Sequence, residues 1–364
     1  MKRPVVTVVG SFAVGMTLCT QRMPVFGETL VGSQFDMGPG GKGSNQAVAA
    51  ARLGAEAHFV GIIGSDPLGK MARALYEEEG VHAEYLAETR EKATGVGFII
   101  VNPEGRNGII LDMGANELID RQFVRRAEVV IARSDVVLSV LEIPVDAAGE
   151  AMALGRKNGV RTILNPAPAV PLQDEMFRVI DLMTPNETEL RILMGLAPDD
   201  AAPTRELALE LQEKFGITVI VTRGESGMML VNARGISEFG SVPVNVVDTT
   251  GAGDAFTAGL AVSLAEGRDL VAAIKFAGCN GALACTKYGV IPSLALRPEV
   301  DGFFQCTPLP SLAYEKKWNT EPWAEPGSRR HGSRRLPDRL RRRFPDPDHG
   351  KPGRPRDRCR CPRY

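Results

Sequence analysis

Val246-Val247-Asp248-Thr249-Thr250-Gly251-Ala252-Gly253-Asp254-Ala255-Phe256 reads as a strand end, a glycine turn and the start of a helix that runs on through Ala255–Ala265. Glycines let a backbone approach a ligand closely, and the free N–H groups of a helix's first turn attract an anion. A phosphate site is indicated. Asp254 falls in that first turn, where a carboxylate can accept a proton from an attacking hydroxyl. An isolated Asp at this place reads as a complement to the helix dipole; Gly251-Ala252-Gly253 directly ahead of it favours the chemical role.

Outward from this segment, β-branched strand-like runs alternate with helical patterns: Val5–Val9, Ser44–Leu53, His58–Ile63, Gly69–Glu79, Asp135–Leu141, Val145–Asn158, Thr162–Asn165, Val179–Thr184, Glu187–Met194 and Thr218–Thr222. Alternation of this kind predicts an α/β fold of βαβ units around a central, mostly parallel sheet flanked by helices. Two stretches break the rhythm. Thr94–Met113 reads as strand, turn, strand, and Thr29–Met37 is a further extended piece ahead of a glycine cluster. Together they predict a small antiparallel β-sheet lid, drawn from about residues 12–40 and 94–114, on one domain spanning 1–304.

Three further segments invite chemistry. Gly38-Pro39-Gly40-Gly41-Lys42-Gly43-Ser44-Asn45 leads into a helix, and so many glycines imply close approach of a ligand to which Lys42 and Asn45 offer donors. It is neither a Walker A loop nor a dinucleotide fingerprint, because the glycine spacing and an adjoining strand are missing. In Thr184-Pro185-Asn186-Glu187-Thr188-Glu189, Asn186 and Glu189 form an Asn-x-x-Glu capping arrangement, and the same groups suit a hydrated Mg²⁺. Thr222-Arg223-Gly224-Glu225-Ser226-Gly227 reads as a glycine-rich hairpin turn. The opening Val9-Gly10-Ser11-Phe12-Ala13-Val14-Gly15 lacks Gly-x-Gly-x-x-Gly, which argues against a nicotinamide enzyme.

Of the 364 residues, 44% are hydrophobic and 6% aromatic, with 39 Gly and 25 Pro, so the interior is built from aliphatic side chains and alanine. Residues 327–364 carry 14 Lys and Arg against 4 Asp and Glu, leaving 29 against 40 before them. An acidic body argues against nucleic acid as partner of the main domain. The basic Pro/Arg-rich segment 305–364 reads as a disordered appendage or an out-of-frame readthrough, with nucleic acid or an anionic surface as the alternative partner. No stretch approaches the roughly 20 apolar residues of a membrane helix. The start resembles a signal peptide in charge and hydropathy, yet Val5–Val9 is β-branched and Gly10 and Gly15 interrupt it, as in a buried first strand. Six cysteines without framework spacing predict a reduced, cytoplasmic setting. The histidines at 58, 82, 331 and 349 lie far from any spacing that brings two ligands onto one metal, which argues against a zinc enzyme.

Gly40-Gly41-Lys42-Gly43-Ser44-Asn45-Gln46-Ala47-Val48-Ala49-Ala50, Asn186-x-x-Glu189 and Asp248-Thr249-Thr250-Gly251-Ala252-Gly253-Asp254, in this order over about residues 4–304, resemble the ribokinase family of carbohydrate kinases. The resemblance implies a ribokinase-like fold and transfer of the ATP γ-phosphoryl group to a sugar hydroxyl, D-ribose to D-ribose 5-phosphate being the first choice. Another pentose, a ketose or a nucleoside is the runner-up, and a catalytically idle sugar- or nucleotide-binding protein is the alternative of another class. Asp254 would be the base, with the N–H groups of Gly251, Ala252 and Gly253 stabilising charge on the phosphoryl group. The sugar would contact Gly41, Lys42, Gly43, Ser44, Asn45 and Glu142. ATP would contact Asn186, Thr222, Arg223, Gly224, Glu225, Ser226, Gly227, Gly253 and Gly278, with Glu189 helping to place Mg²⁺ through water. Members of this type also hold an activating K⁺; the matching positions are Asp248, Thr250, Ala284, Lys287, Gly289 and Ser293, mostly through backbone carbonyls. A homodimer through the lid is implied as well. The family pattern Gly-Ser-x-Asn-x-Asp after the first strand is replaced by Gly10-Ser11-Phe12-Ala13-Val14-Gly15, so two polar sugar-binding groups are missing, which redirects sugar choice without abolishing phosphoryl transfer.

Overall fold

A computed structural model describes residues 3–103, 107–307 and 311–313. Its strands are β1 (Val5–Val9), β2 (Ala13–Cys19), β3 (Ser33–Gly40), β4 (Glu56–Gly64), β5 (His82–Thr89), β6 (Gly95–Val101), β7 (Asn107–Asp112), β8 (Val136–Val140), β9 (Arg161–Asn165), β10 (Leu182–Met183), β11 (Thr218–Thr222), β12 (Met228–Asn232), β13 (Gly235–Phe239) and β14 (Ser311–Ala313). The large sheet has the order β14-β13-β12-β11-β10-β9-β8-β1-β4-β5. From β11 to β5 every pair is parallel, and β11 through β14 add an antiparallel edge. Fully buried β1 and β8 are the apolar runs expected of strands covered on both faces.

The helix Ala252–Ala265 is buried from Asp254 to Leu264, so it is apolar all round instead of striped. It lies against the helices Lys42–Arg52 and Leu270–Ala284, and Asn280 Nδ2 donates to the Ala255 carbonyl at 2.7 Å. This buried position delivers the Asp254 carboxylate to the interior from a helix N-terminus.

The second sheet has the order β3-β2-β6-β7. It is mixed, not purely antiparallel as expected, because β2 and β6 run parallel. Both leave the large sheet in the same direction: β1 passes into β2 through Gly10–Phe12, and β6 follows the turn after β5. Asn116 pins this crossing. Its Oδ1 accepts the Phe12 N–H at 3.0 Å, and its Nδ2 donates to the Phe12 and Met113 carbonyls, both at 2.8 Å.

Other departures from expectation have local causes. The extended piece begins at Ser33, not Thr29, and only Leu182–Met183 of the run Val179–Thr184 pairs as strand. Strand β5 was not expected, since as an edge strand only its Leu86 is buried and its sequence shows no apolar alternation. Ordered structure continues past residue 304: a helix spans Arg297–Cys306, and β14 extends the large sheet against β13. The remainder of the basic segment lies outside the described residues.

Candidate active site

Asp254 is 4% exposed, and both of its oxygens are engaged from the helix Lys42–Arg52. Asn45 Nδ2 donates to Oδ2 at 2.8 Å and Gln46 Nε2 to Oδ1 at 3.1 Å. Gln46 also donates to Asn165 Oδ1 at 3.0 Å, and Asn165 Nδ2 reaches the Thr184 carbonyl at 3.1 Å. Three strand or helix ends thereby fix one carboxylate, the preorganisation a proton acceptor needs. Gly251 initiates the helix at φ 83°, in the left-handed region, and a Cβ there would come within 2.7 Å of Val290 Cγ1. Ala252 N–H turns back to the Thr249 carbonyl at 3.2 Å. A Cβ at Gly253 would meet nothing within 4 Å, so open space adjoins the helix's first turn.

The glycines ahead of Lys42 are explained by packing of backbone on backbone. Gly41 has φ 88° and its Cβ would stand 2.7 Å from Ala13 N; a Cβ at Gly43 would stand 2.5 Å from Ser11 N. Both positions press the turn against the crossing from β1 to β2. Glu142 clamps the same turn, its Oε2 accepting from Ser11 Oγ at 2.6 Å and from Lys42 N–H at 2.8 Å. The charge of Asp254 foremost, then those of Glu142 and Glu189, raises the pKa of Lys42 against burial. Burial pushes the Glu142 and Glu189 carboxyls up, and Lys42 opposes both shifts. One ammonium thus sits within the field of three carboxylates, a charge balance suited to receiving a polyanion beside a base.

On the far side, Asn186 caps the helix Glu187–Leu193 in a reciprocal capping box with Glu189, each bond 2.8 Å. Asn186 bridges to Thr222, placing the capped helix beside the hairpin turn at Gly224–Ser226. Arg223 pairs with Glu238 at 3.2 Å and donates to the Ser226 carbonyl at 3.1 Å. Below the Asp254 helix, loops 247–250 and 285–290 meet. Val247 N–H donates to the Cys285 carbonyl at 2.8 Å, and the Asp248 carboxylate accepts from Thr250 Oγ1 at 2.6 Å and Gly289 N–H at 3.2 Å.

The model of the pfkB family carbohydrate kinases matches residues 4–296. The chain belongs to this family. Ribokinase of Haemophilus influenzae is 38% identical over 304 residues, covering 83% of this chain and 99% of that protein. Deoxyribokinase of Salmonella typhi is 33% identical over 299 residues, covering 82% and 97%. The solved structure of Arabidopsis thaliana ribokinase complexed with ribose and ATP superposes with a TM-score of 0.78 at 30% identity, over 84% of this chain and all of that one. The fold is that of the ribokinases, and the chain is a carbohydrate kinase, a phosphotransferase acting on a hydroxyl group.

In this kinase the structure brings Lys42, Asn45, Glu142, Glu189 and Asp254 together as anticipated. Two anticipated contacts are redirected. Ser44 is fully buried with its hydroxyl beside the Tyr76 phenol, so it faces the core. Gly278 is buried, and a Cβ there would stand 3.0 Å from Met228 Cε, so glycine allows helix and strand to approach. At the cation positions, read as acting mostly through backbone carbonyls, Lys287 turns its ammonium to Glu299 at 3.4 Å, Ala284 is buried, and Ser293 Oγ donates to the Val290 carbonyl at 2.7 Å. Gln46, Asn165 and Ser11 were missed. Gln46 directly follows Asn45, and Asn165 ends a strand at the ligand-bearing edge of an α/β sheet, a position that carries functional weight.

The expectation that no two histidines meet is overturned. His58 on β4 is in register with His82 on the adjacent β5, and the rings stack at 4.6 Å. Spacing along the chain does not see neighbours across parallel strands. With Glu56 they bring ligand-type atoms within 4.8 Å of one another, and the Arg133 guanidinium supplies positive charge there, 3.0 Å from His58 Nε2 and 3.1 Å from Glu56 Oε1.

Proposed function

We propose that this kinase transfers the γ-phosphoryl group of ATP to the 5-hydroxyl of D-ribose, giving D-ribose 5-phosphate and ADP. The observation that carries the reading is the Asp254 carboxylate, buried at a helix N-terminus and held on both oxygens by Asn45 and Gln46. Asp254 takes the hydroxyl proton as the sugar oxygen bonds to the γ-phosphorus; the bond to the β,γ-bridging oxygen breaks and its electron pair leaves with ADP. The N–H groups of Gly251 and Gly253 and the Lys42 ammonium offset charge on the phosphoryl group in transit, the Ala252 N–H being turned to the Thr249 carbonyl. The loop Thr222–Gly227 and Asn186 form the nucleotide side.

Glu189 is the residue suited to a hydrated Mg²⁺, which would neutralise phosphate charge, because its carboxylate shares a field with Lys42 and Asp254. Asp248 and the backbone of 250 and 284–289 suit K⁺, since two loops with carbonyl oxygens meet there. A homodimer through the lid is favoured by the lid face turned away from Asn45, where Met37, Met16, Phe98 and Ile110 form one row across β3, β2, β6 and β7. Met37, Phe98 and Ile110 of that row are exposed. A cytoplasmic setting accords with a chain in which no described helix is long and apolar enough to cross a membrane.

An ADP-release assay with ribose, Mg²⁺ and K⁺ tests the reading alongside Asp254→Asn. The variant is expected to lose turnover by about 10²–10⁴-fold and to keep ATP binding. Turnover undiminished in the variant would overturn Asp254 as the base, and ATP binding without turnover of any sugar would favour an idle binding protein.

A further inference from the structure

The two histidines that meet across β4 and β5 lie at the opposite end of the strands from the Asp254 site. Glu56 pairs with Val5 at the start of β1, whereas Ser11 and the turn carrying Lys42 lie beyond its end. Strand alternation puts Glu56 and His58 on one face of β4, and the register of His58 with His82 sets a second imidazole beside them. One ligating atom from each of Glu56, His58 and His82 falls within 4.8 Å of the other two.

Two features set this group apart from a chance meeting of side chains. Glu84, two residues beyond His82, turns its carboxylate to the same nitrogen of both rings: Oε1 lies 3.3 Å from His82 Nδ1 and Oε2 lies 3.8 Å from His58 Nδ1. His58 is buried and its Nδ1 has no hydrogen-bond partner, so this carboxylate is the group a proton on Nδ1 faces. A carboxylate behind the ring fixes the tautomer and orientation of a metal-bound imidazole and leaves Nε2 as the ligand.

On the Nε2 side of His58 a cation already stands. A guanidinium nitrogen of Arg133, the last residue of the helix Glu128–Arg133, is 3.0 Å from His58 Nε2 and 3.1 Å from Glu56 Oε1, and those two atoms are 3.0 Å apart. Ligands about 2.1 Å from one Zn²⁺ stand about 3.4 Å apart at the tetrahedral angle, so a shift of about 0.4 Å places both on an ion. The Arg133 side chain is more than half exposed and is free to withdraw.

We propose that Glu56, His58 and His82 bind a transition-metal ion of the Zn²⁺ class, with Glu84 orienting both rings and Arg133 serving as the tethered cation that the metal displaces. Two imidazoles and one carboxylate select such an ion over Mg²⁺, which prefers oxygen ligands, and water completes the fourth position. The ion joins β4 to the edge strand β5, whose only buried residue is Leu86, and so acts as a staple separate from phosphoryl transfer.

The test titrates the full chain, free of nucleotide, with ZnCl₂ in a calorimeter and follows thermal unfolding of the same samples. A binding event is expected that raises the melting temperature, because the ion binds the folded state. Glu84→Gln should weaken it by about 10–100-fold and His82→Gln, which removes an exposed ligand, by about 100-fold. Arg133→Ala should tighten it about tenfold by removing the competing charge, a gain that a merely structural role for Arg133 does not produce. Zinc held by cysteines elsewhere in the chain is indifferent to all three substitutions. Absence of Zn²⁺ binding, or binding that His82→Gln leaves unchanged in a variant of wild-type metal-free melting temperature, overturns the site. Weaker binding in Arg133→Ala overturns the displacement of Arg133 by the metal.

Discussion

Gly43 has a role that only the folded chain reveals: its Cβ position falls 2.5 Å from Ser11 N, against backbone that cannot swing aside. Gly43→Ala is expected to destabilise by about 1–3 kcal/mol, the usual range for overpacking a tight contact, and to displace the turn that carries Lys42. Thermal unfolding measures the first effect, and a raised KM for sugar with an unaltered KM for ATP measures the second. Glu142 makes a pH-dependent contribution to the same turn. Its folded-state pKa lies above the ordinary value of 4.5, so its stabilising contribution is full below that value and is lost as pH rises through the folded pKa. Glu142→Gln should flatten the decline in melting temperature as pH rises above the ordinary carboxyl value of 4.5, while a decline of wild-type slope would remove Glu142 as its source.

Among the elements, the helix Glu187–Leu193 is short, and its capping box is the main local device holding its start. Asn186→Ala should cost about 1 kcal/mol in stability. It should also raise the KM for ATP more than the KM for sugar, because Thr222 and the hairpin turn lean on the same residue. This capping box was legible in the sequence because all its bonds are local, and so was the glycine turn before Asp254. Gln46, Asn165 and Ser11 were not, because each acquires its role from a partner more than 100 residues away. The strands missed were those whose residues obey no period: β5 is a polar edge, and the parallel union of β2 with β6 joins segments that nothing in either one specifies. Likewise the glycines before Lys42, read as marking the close approach of a ligand, proved to include contact glycines at 41 and 43, pressed on backbone, and unconstrained ones at 38 and 40.

For the whole molecule, the parallel core from β11 to β4 was readable from alternation alone, whereas the edge strand β5 and the assembly of the lid depended on long-range pairing. The exposed apolar row Met37, Phe98 and Ile110 predicts self-association. Phe98→Asp should convert the protein to monomer in light scattering and lower lid stability, because the row no longer excludes water. A wild-type protein that scatters as a monomer at assay concentrations would discard the lid dimer.

Asn116 grips the backbone of Phe12 on both its N–H and its carbonyl while holding the Met113 carbonyl, so a single side chain ties the chain's first entry into the lid, ahead of β2, to its last exit, after β7. In native-state hydrogen exchange this makes the lid amides one cooperative opening unit with its own free energy below that of the large sheet. Severing the grip should collapse that protection throughout β2, β6 and β7 together while the amides of β1 and β8 continue to exchange only through global unfolding.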